Sequence, residues 1–134
     1  HKSGSCKFGG VVGYAEQPKG TGLYLMAAAG DDSDIATSLV AGGAQIIAFT
    51  TGRGTPTGFP GVPVLKITGN SKTYRNMEDD MDYNAGRVMD GEITLEQAGQ
   101  EIYQEVLKIA GGKPTKAEVL GHDELFSIGR YDCF

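Results

Sequence analysis

Tryptophan is absent from this chain of 134 residues, cysteine occurs twice and proline five times. No apolar run approaches the ~18 residues that would span a bilayer. The two cysteines, Cys6 and Cys133, are too few for a disulfide framework and too far apart for a metal knuckle. They are read as reduced thiols of a cytoplasmic protein rather than as a bridge between the termini. Histidine occurs only at positions 1 and 122, so no zinc spacing exists. There is no Gly-x-Ser-x-Gly and no Cys/His dyad. Positive charge is also scarce: 12 Lys and Arg stand against 17 Asp and Glu, a net charge of −5, which argues against a nucleic-acid partner. His1-Lys2-Ser3-Gly4 has no apolar core and does not read as a signal peptide.

What the chain has in excess is glycine, 21 residues or about 16%, against a usual ~7%. The glycines follow no Gly-X-Y period and 40% of residues are hydrophobic, so collagen and disorder are both excluded. Length implies one domain, able to bury roughly 65–70% of its unfolded surface. Residues 1–22 hold six glycines and read as a linker from an upstream region; 23–128 read as an α/β domain and 129–134 as a tail.

Leu23–Ala27 reads as a buried strand. Gly30-Asp31-Asp32-Ser33 supplies turn and N-cap chemistry, and Ile35, Ala36, Leu39 and Val40 follow at helical spacing up to Gly42-Gly43. Gln45–Thr50 is nearly all apolar and reads as a strand buried on both faces. Val62–Thr68 is a third strand, with Pro63 at its start or on an edge. Asn70 or Ser71 caps a short helix through Met77. Asp79–Gly91 reads as irregular and acidic. Thr94-Leu95-Glu96-Gln97 is a capping box, and Leu95, Ala98, Ile102, Val106 and Ile109 form the apolar stripe of the helix after it. Thr115–Leu120 is a short helix, and Leu125–Ile128 a final strand. The pattern predicts an α/β domain of two or three layers, with a mainly parallel sheet of about four strands and flanking helices. Such sheets place ligands at the carboxyl ends of their strands.

Thr50-Thr51-Gly52-Arg53-Gly54-Thr55-Pro56-Thr57-Gly58 lies at one such end. Its G-x-G-x-x-x-G is not a dinucleotide fingerprint, because that motif must open a helix and the prolines here forbid one. Two readings stay open. The loop wraps a small polyoxygenated anion with its N–H groups, threonine hydroxyls and the Arg53 fork. Alternatively its glycines only make turns. Lys66 sits inside an apolar strand, where it must snorkel, pair with an acid or serve a site. Asp80-Met81-Asp82-Tyr83-Asn84 spaces oxygens like the start of a calcium loop, but Ala85 and Gly91 stand where that loop needs Gly and Glu. A solvated acidic turn competes with an oxygen-ligand site there. His122, beside a helix end, is either a cap or a catalytic group.

Val40-Ala41-Gly42-Gly43-Ala44-Gln45 through Gly54 resembles the altronate dehydratase/galactarate dehydratase family of sugar-acid dehydratases. The resemblance continues through Pro63–Asn70, Asp80–Gly86 and Ala110–Glu124. It implies a C-terminal domain of a longer enzyme that dehydrates a hexonate or hexarate to a 2-keto-3-deoxy acid with Fe2+ or another divalent metal. This part alone is expected to hold no metal and to be inactive. Its expected partners are a small anionic sugar acid, upstream domains of the same chain and copies of itself, with no nucleic acid and no membrane. Substrate contacts are expected from Thr50, Thr51, Gly52, Arg53, Gly54, Thr55, Thr57, Gly58 and Asn70, and catalytic roles from Lys66 and His122. The loop lacks the cysteine that some relatives carry, and Phe59 is bulky, so the substrate can differ. A related branch resembles sulfolactate sulfo-lyase, which expels sulfite from a sulfonated hydroxy acid. A purely structural or dimerising domain is the third alternative.

Overall fold

The computed structural model describes residues 4–28 and 30–123. The expected strand Leu125–Ile128, the tail 129–134 and Cys133 lie outside the described residues. The chain divides after Gln45 into two units.

In the first unit, strand β1 (Phe8–Val12) pairs in parallel with β2 (Leu23–Met26). The stretch expected to be linker therefore holds a strand. Its sequence, Phe-Gly-Gly-Val-Val, has no alternation, and the pairing with β2 makes it a strand. Tyr24 packs against Gly9 and Gly10. Helix α1 (Asp32–Ala41) starts at Asp31, whose carboxylate accepts from the backbone N–H of Ser33 (3.1 Å) and Asp34 (3.3 Å). The buried Asp34 accepts a 2.7 Å hydrogen bond from the Tyr14 hydroxyl.

The second unit is built on a three-stranded parallel sheet of order β3-β4-β5, with β3 Ile47–Thr51, β4 Val64–Thr68 and β5 Tyr83–Asn84. The α/β class and the parallel pairing are as expected, but the strands divide between two small sheets. Pro63 stands just before the central strand, where its missing N–H is harmless, and its carbonyl accepts from Ile47. All five residues of β4 are buried. The expectation that the preceding strand is buried on both faces is corrected: Ala48 and Thr50 are exposed. The reason is position, since among the described residues β3 is an edge strand that pairs only with β4.

Side chains alternate across a strand. Leu65 and Ile67 pack with Tyr83 and Ile109 into the core, joined by Ile46, Ala85, Ile102 and Val106. Helix α3 (Leu95–Ala110) brings Ile102, Val106 and Ile109 to that face, and its Thr94–Gln97 capping box is formed as expected. Helix α2 (Ser71–Asn76) is capped by Asn70. Within the segment expected to be irregular, β5 is followed by a 3-10 turn at Ala85–Val88. Helix α4 (Lys116–Leu120) has a second capping box, Thr115 with Glu118. Asp82 ties these parts together: one carboxylate oxygen accepts from the N–H of Lys66 and the other from the N–H of Lys116, both at 2.8 Å.

Candidate functional site

All three strands of the second unit run the same way, so their carboxyl ends share one edge. An open depression of about 430 Å³ lies there, lined by Thr50 and Thr51 of β3 with Gly52 just after it, Ile67 of β4 with Gly69 and Asn70 just after it, and Ala85 after β5. The strand-end rule thus locates a cavity on this sheet, and the expected site residues Thr50, Thr51, Gly52 and Asn70 meet in it.

The loop that follows β3 divides into two halves with different surroundings. In the first half, Gly52 and Arg53 are exposed. The Gly52 carbonyl accepts from the Thr73 hydroxyl at 3.0 Å, and the Thr51 hydroxyl accepts from the Gly54 N–H at 3.1 Å. Gly54 has φ +81, and a Cβ there would overlap Met77 Sδ and stand 3.0 Å from Thr73 Cγ2. Only glycine satisfies both demands.

In the second half, Thr55, Thr57 and Gly58 are buried. The two threonine hydroxyls bond each other at 2.7 Å, and the Thr57 N–H donates to Thr55 Oγ1 at 3.3 Å. Gly58 packs so closely that a Cβ would overlap the His122 carbonyl oxygen. None of these three residues lines the depression. Their hydroxyls and glycine, which in sequence look like ligand donors, are engaged inside the protein.

Lys66 and His122 come together, but away from the depression. Both converge on the Pro56 carbonyl, Lys66 Nζ donating at 3.2 Å and His122 Nδ1 at 2.8 Å. A carbonyl only accepts, so Nδ1 carries the proton and Nε2 is left as the free nitrogen in the neutral ring. Asp80 stands 3.8 Å from Nδ1. The Lys66 side chain is 0% exposed. Desolvation lowers its pKa below the usual lysine range, against the raising pull of the Asp82 and Asp80 carboxylates. His122 also lines a smaller cavity of about 140 Å³ with Phe59, Val62 and Val64, toward the amino end of β4.

The expected oxygen-ligand spacing is engaged internally. Both Asp82 oxygens accept backbone N–H groups, and Asn84 accepts from the Gly86 N–H and bonds Ser71. Among the described residues, no three His, Cys, Asp or Glu side chains come together as metal ligands. These residues do not form a donor set for Fe2+. No helix of the described residues is long and apolar enough to cross a membrane. Gly69, Ile67 and Ala85 were not expected among the site residues. Gly69 stands at a strand end, which is a readable signal, whereas Ile67 and Ala85 carry no chemical signal of a site.

The family described as D-galactarate/altronate dehydratase, C-terminal, matches residues 1–132. The chain belongs to this family. The galactarate dehydratase (L-threo-forming) of Escherichia coli K12 is 37% identical over 112 residues, covering 84% of this chain and 21% of that protein. The altronate dehydratase of Bacillus subtilis 168 is 34% identical over 124 residues, covering 92% of this chain and 25% of that protein. The (2R)-sulfolactate sulfo-lyase subunit beta of Chromohalobacter salexigens is 35% identical over 127 residues, covering 95% of this chain and 33% of that protein. This member of the dehydratase family thus spans about a fifth to a third of the length of the curated relatives it matches. Those relatives are dehydratases and a lyase, and the family is a lyase family.

Proposed function

We propose that this chain is the C-terminal domain of a hydro-lyase that converts a hexonate or hexarate of the altronate/galactarate type to a 2-keto-3-deoxy sugar acid, and that its strand-end depression holds part of that substrate. One observation carries the reading. In a family whose named members include two sugar-acid dehydratases, the depression at the strand carboxyl ends is edged by hydroxyls and glycine backbone. Those groups suit a carboxylate-bearing polyol.

The reaction takes a proton from the carbon α to a carboxylate and expels the β-hydroxyl as water; the resulting enol becomes the 2-keto acid. This chain binds and orients. The Thr50 and Thr51 hydroxyls and the N–H of Gly52 face carboxylate and hydroxyl oxygens, while the Gly69 N–H is spent on the Thr51 carbonyl, and the exposed Arg53 adds a bidentate fork. The base and the divalent ion, Fe2+ or another, are held by upstream domains of a longer cytoplasmic polypeptide. A second reading is favoured by the coverage of 95% of this chain in the match to the sulfo-lyase subunit. On that reading the same depression takes a smaller sulfonated hydroxy acid, and the leaving group is sulfite.

The test assays the longer protein carrying this domain with galactarate, altronate and (2R)-sulfolactate, following 2-keto acid and sulfite. Keto acid from galactarate or altronate without sulfite is expected. Sulfite from sulfolactate selects the second reading, and turnover of none of the three overturns both. The 134-residue chain alone is expected to be inactive; turnover by it contradicts the assignment of the base to another domain.

A further inference from the structure

We infer that Lys66 is a positioning residue for the ligand-facing loop: with His122 it clamps the Pro56 carbonyl, and so fixes the backbone of Thr51–Gly54 at the edge of the depression. This rests on the reading of that depression as the substrate site.

Lys66 does not line the depression, so at that site it acts through the loop rather than on substrate. Its location is nevertheless costly. An ammonium at the centre of a wholly buried strand gives up its water, which a leucine or methionine would not. The carboxylates of Asp82 and Asp80 offset part of that cost, and the Lys116 ammonium works against them. The ammonium's one hydrogen-bond partner among the described residues is a main-chain carbonyl of the loop, not an acid. Pro56 stands two residues beyond Gly54, and its ring locks φ. With φ fixed, a shift of its carbonyl can be taken up at Pro56 only through ψ, and what is not taken up there is passed through Thr55 to Gly54. On the far side, Thr57 and Gly58 are buried and cannot yield. The ligand-facing half has by comparison light anchors, the Gly54–Thr51 and Thr73–Gly52 hydrogen bonds.

The second donor is what makes the arrangement a clamp. His122 comes from just beyond the end of α4 and reaches the same oxygen as Lys66, from the centre of the sheet. A carbonyl oxygen has two lone pairs, and both are used. Loss of one donor leaves the other in place, whereas loss of both leaves an acceptor orphaned under the loop. The shared oxygen therefore predicts effects that exceed the product of the single losses, a coupling that two separate structural contacts would not show.

The test is native-state hydrogen exchange by NMR on the 134-residue chain, with galactarate affinity measured on the same samples. The variants are His122→Ala, Lys66→Met and the double substitution. The Gly54 amide reports the loop and the Ile102 amide, in α3, reports global opening. His122→Ala is expected to speed Gly54 exchange a few-fold, leave Ile102 unchanged and weaken galactarate a few-fold. In the double variant both loop effects exceed the product of the singles. Unchanged Gly54 exchange in His122→Ala, or effects that simply multiply, overturns the clamp. If Lys66→Met does not fold, Lys66→Gln, which keeps an N–H donor without the charge, takes its place in the cycle. Near-native Gly54 exchange in Lys66→Gln supports the clamp; exchange as fast as in the double variant refutes it. If the wild-type chain binds no galactarate, the substrate reading fails while the exchange data still decide the clamp.

Discussion

The division of the loop into an open half and a buried half predicts opposite outcomes for two glycine-to-alanine substitutions only six residues apart. At Gly58 a Cβ would overlap the His122 carbonyl oxygen, with the carbonyl carbon at 2.9 Å and the Ala117 Cβ at 3.1 Å. Normal carbon contacts lie near ~3.5–4.0 Å, and the atoms in the way are mostly backbone, so the loop or the end of α4 must move. Overpacking of this kind costs about 1–3 kcal/mol. The lost freedom of the unfolded chain returns about 0.4–1 kcal/mol. Gly58→Ala should therefore lose about 1.3 kcal/mol, roughly a tenfold shift in the folding equilibrium. At Gly52 nothing lies within 4 Å of an added Cβ, so Gly52→Ala should change stability by less than about 0.5 kcal/mol. The assay is urea unfolding followed by helix circular dichroism, since the chain has no tryptophan to report. Equal stability of Gly58→Ala and wild type, or a larger loss at Gly52, would refute the packing argument.

Three further outcomes follow from individual contacts. Arg53→Ala in the longer enzyme should lower kcat/KM about ten- to a hundredfold, the loss of one charge-assisted hydrogen bond of about 1.5–3 kcal/mol; an unchanged value with altered oligomer size would favour a structural role for the domain. Thr115→Ala should destabilise by about 1–2 kcal/mol and Thr94→Ala by about 1 kcal/mol in denaturant melts, because both lose a capping box but Thr115 is buried and its hydroxyl also donates to Glu118. Glu105 is held below its ordinary pKa of 4.5 by hydrogen bonds from Lys108 and then Lys113, each at 2.5 Å. That contribution is present above the ordinary pKa and is lost as pH falls through the lowered folded value. It should be under about 1 kcal/mol because both lysines are more than half exposed, and Glu105→Gln should abolish it in melts compared at neutral and acid pH.

Local signals carried much of this fold. The Asp31, Asn70 and Thr94 caps and the α3 stripe are legible because helix ends and amphipathic faces are written within a few residues. The Thr115–Glu118 box obeys the same rule, Thr followed three residues later by Glu. The strands that escaped a sequence reading owe their existence to distant partners. Phe8–Val12 is a strand because Leu23–Met26 lies beside it, and Tyr83–Asn84 is only two residues set in register with Ile67 and Thr68. The burial of β3 depends on its place at the sheet edge, which its composition does not encode.

The candidate site divides the same way. Thr50, Thr51, Gly52 and Asn70 were legible because they follow strands, and strand ends share an edge in a parallel sheet. Thr55, Thr57 and Gly58 have identical chemistry but are turned inward, and only packing against the loop's own hydroxyls and His122 distinguishes them. Lys66 was visible as an anomaly in an apolar strand. Its partner, a carbonyl ten residues away in sequence, was not, because main-chain acceptors leave no mark in a sequence.

The most direct measurement of the substrate assignment is an NMR titration of the 134-residue chain with galactarate, altronate and (2R)-sulfolactate. Saturable shifts at the amides of Thr50, Thr51, Gly52, Gly69 and Asn70, with Thr57 and the core of α3 silent, are predicted for at least one of the three. Absence of any saturable shift, or shifts centred on the Phe59–Val62 and His122 cavity instead, would contradict the placement of the substrate at the strand ends.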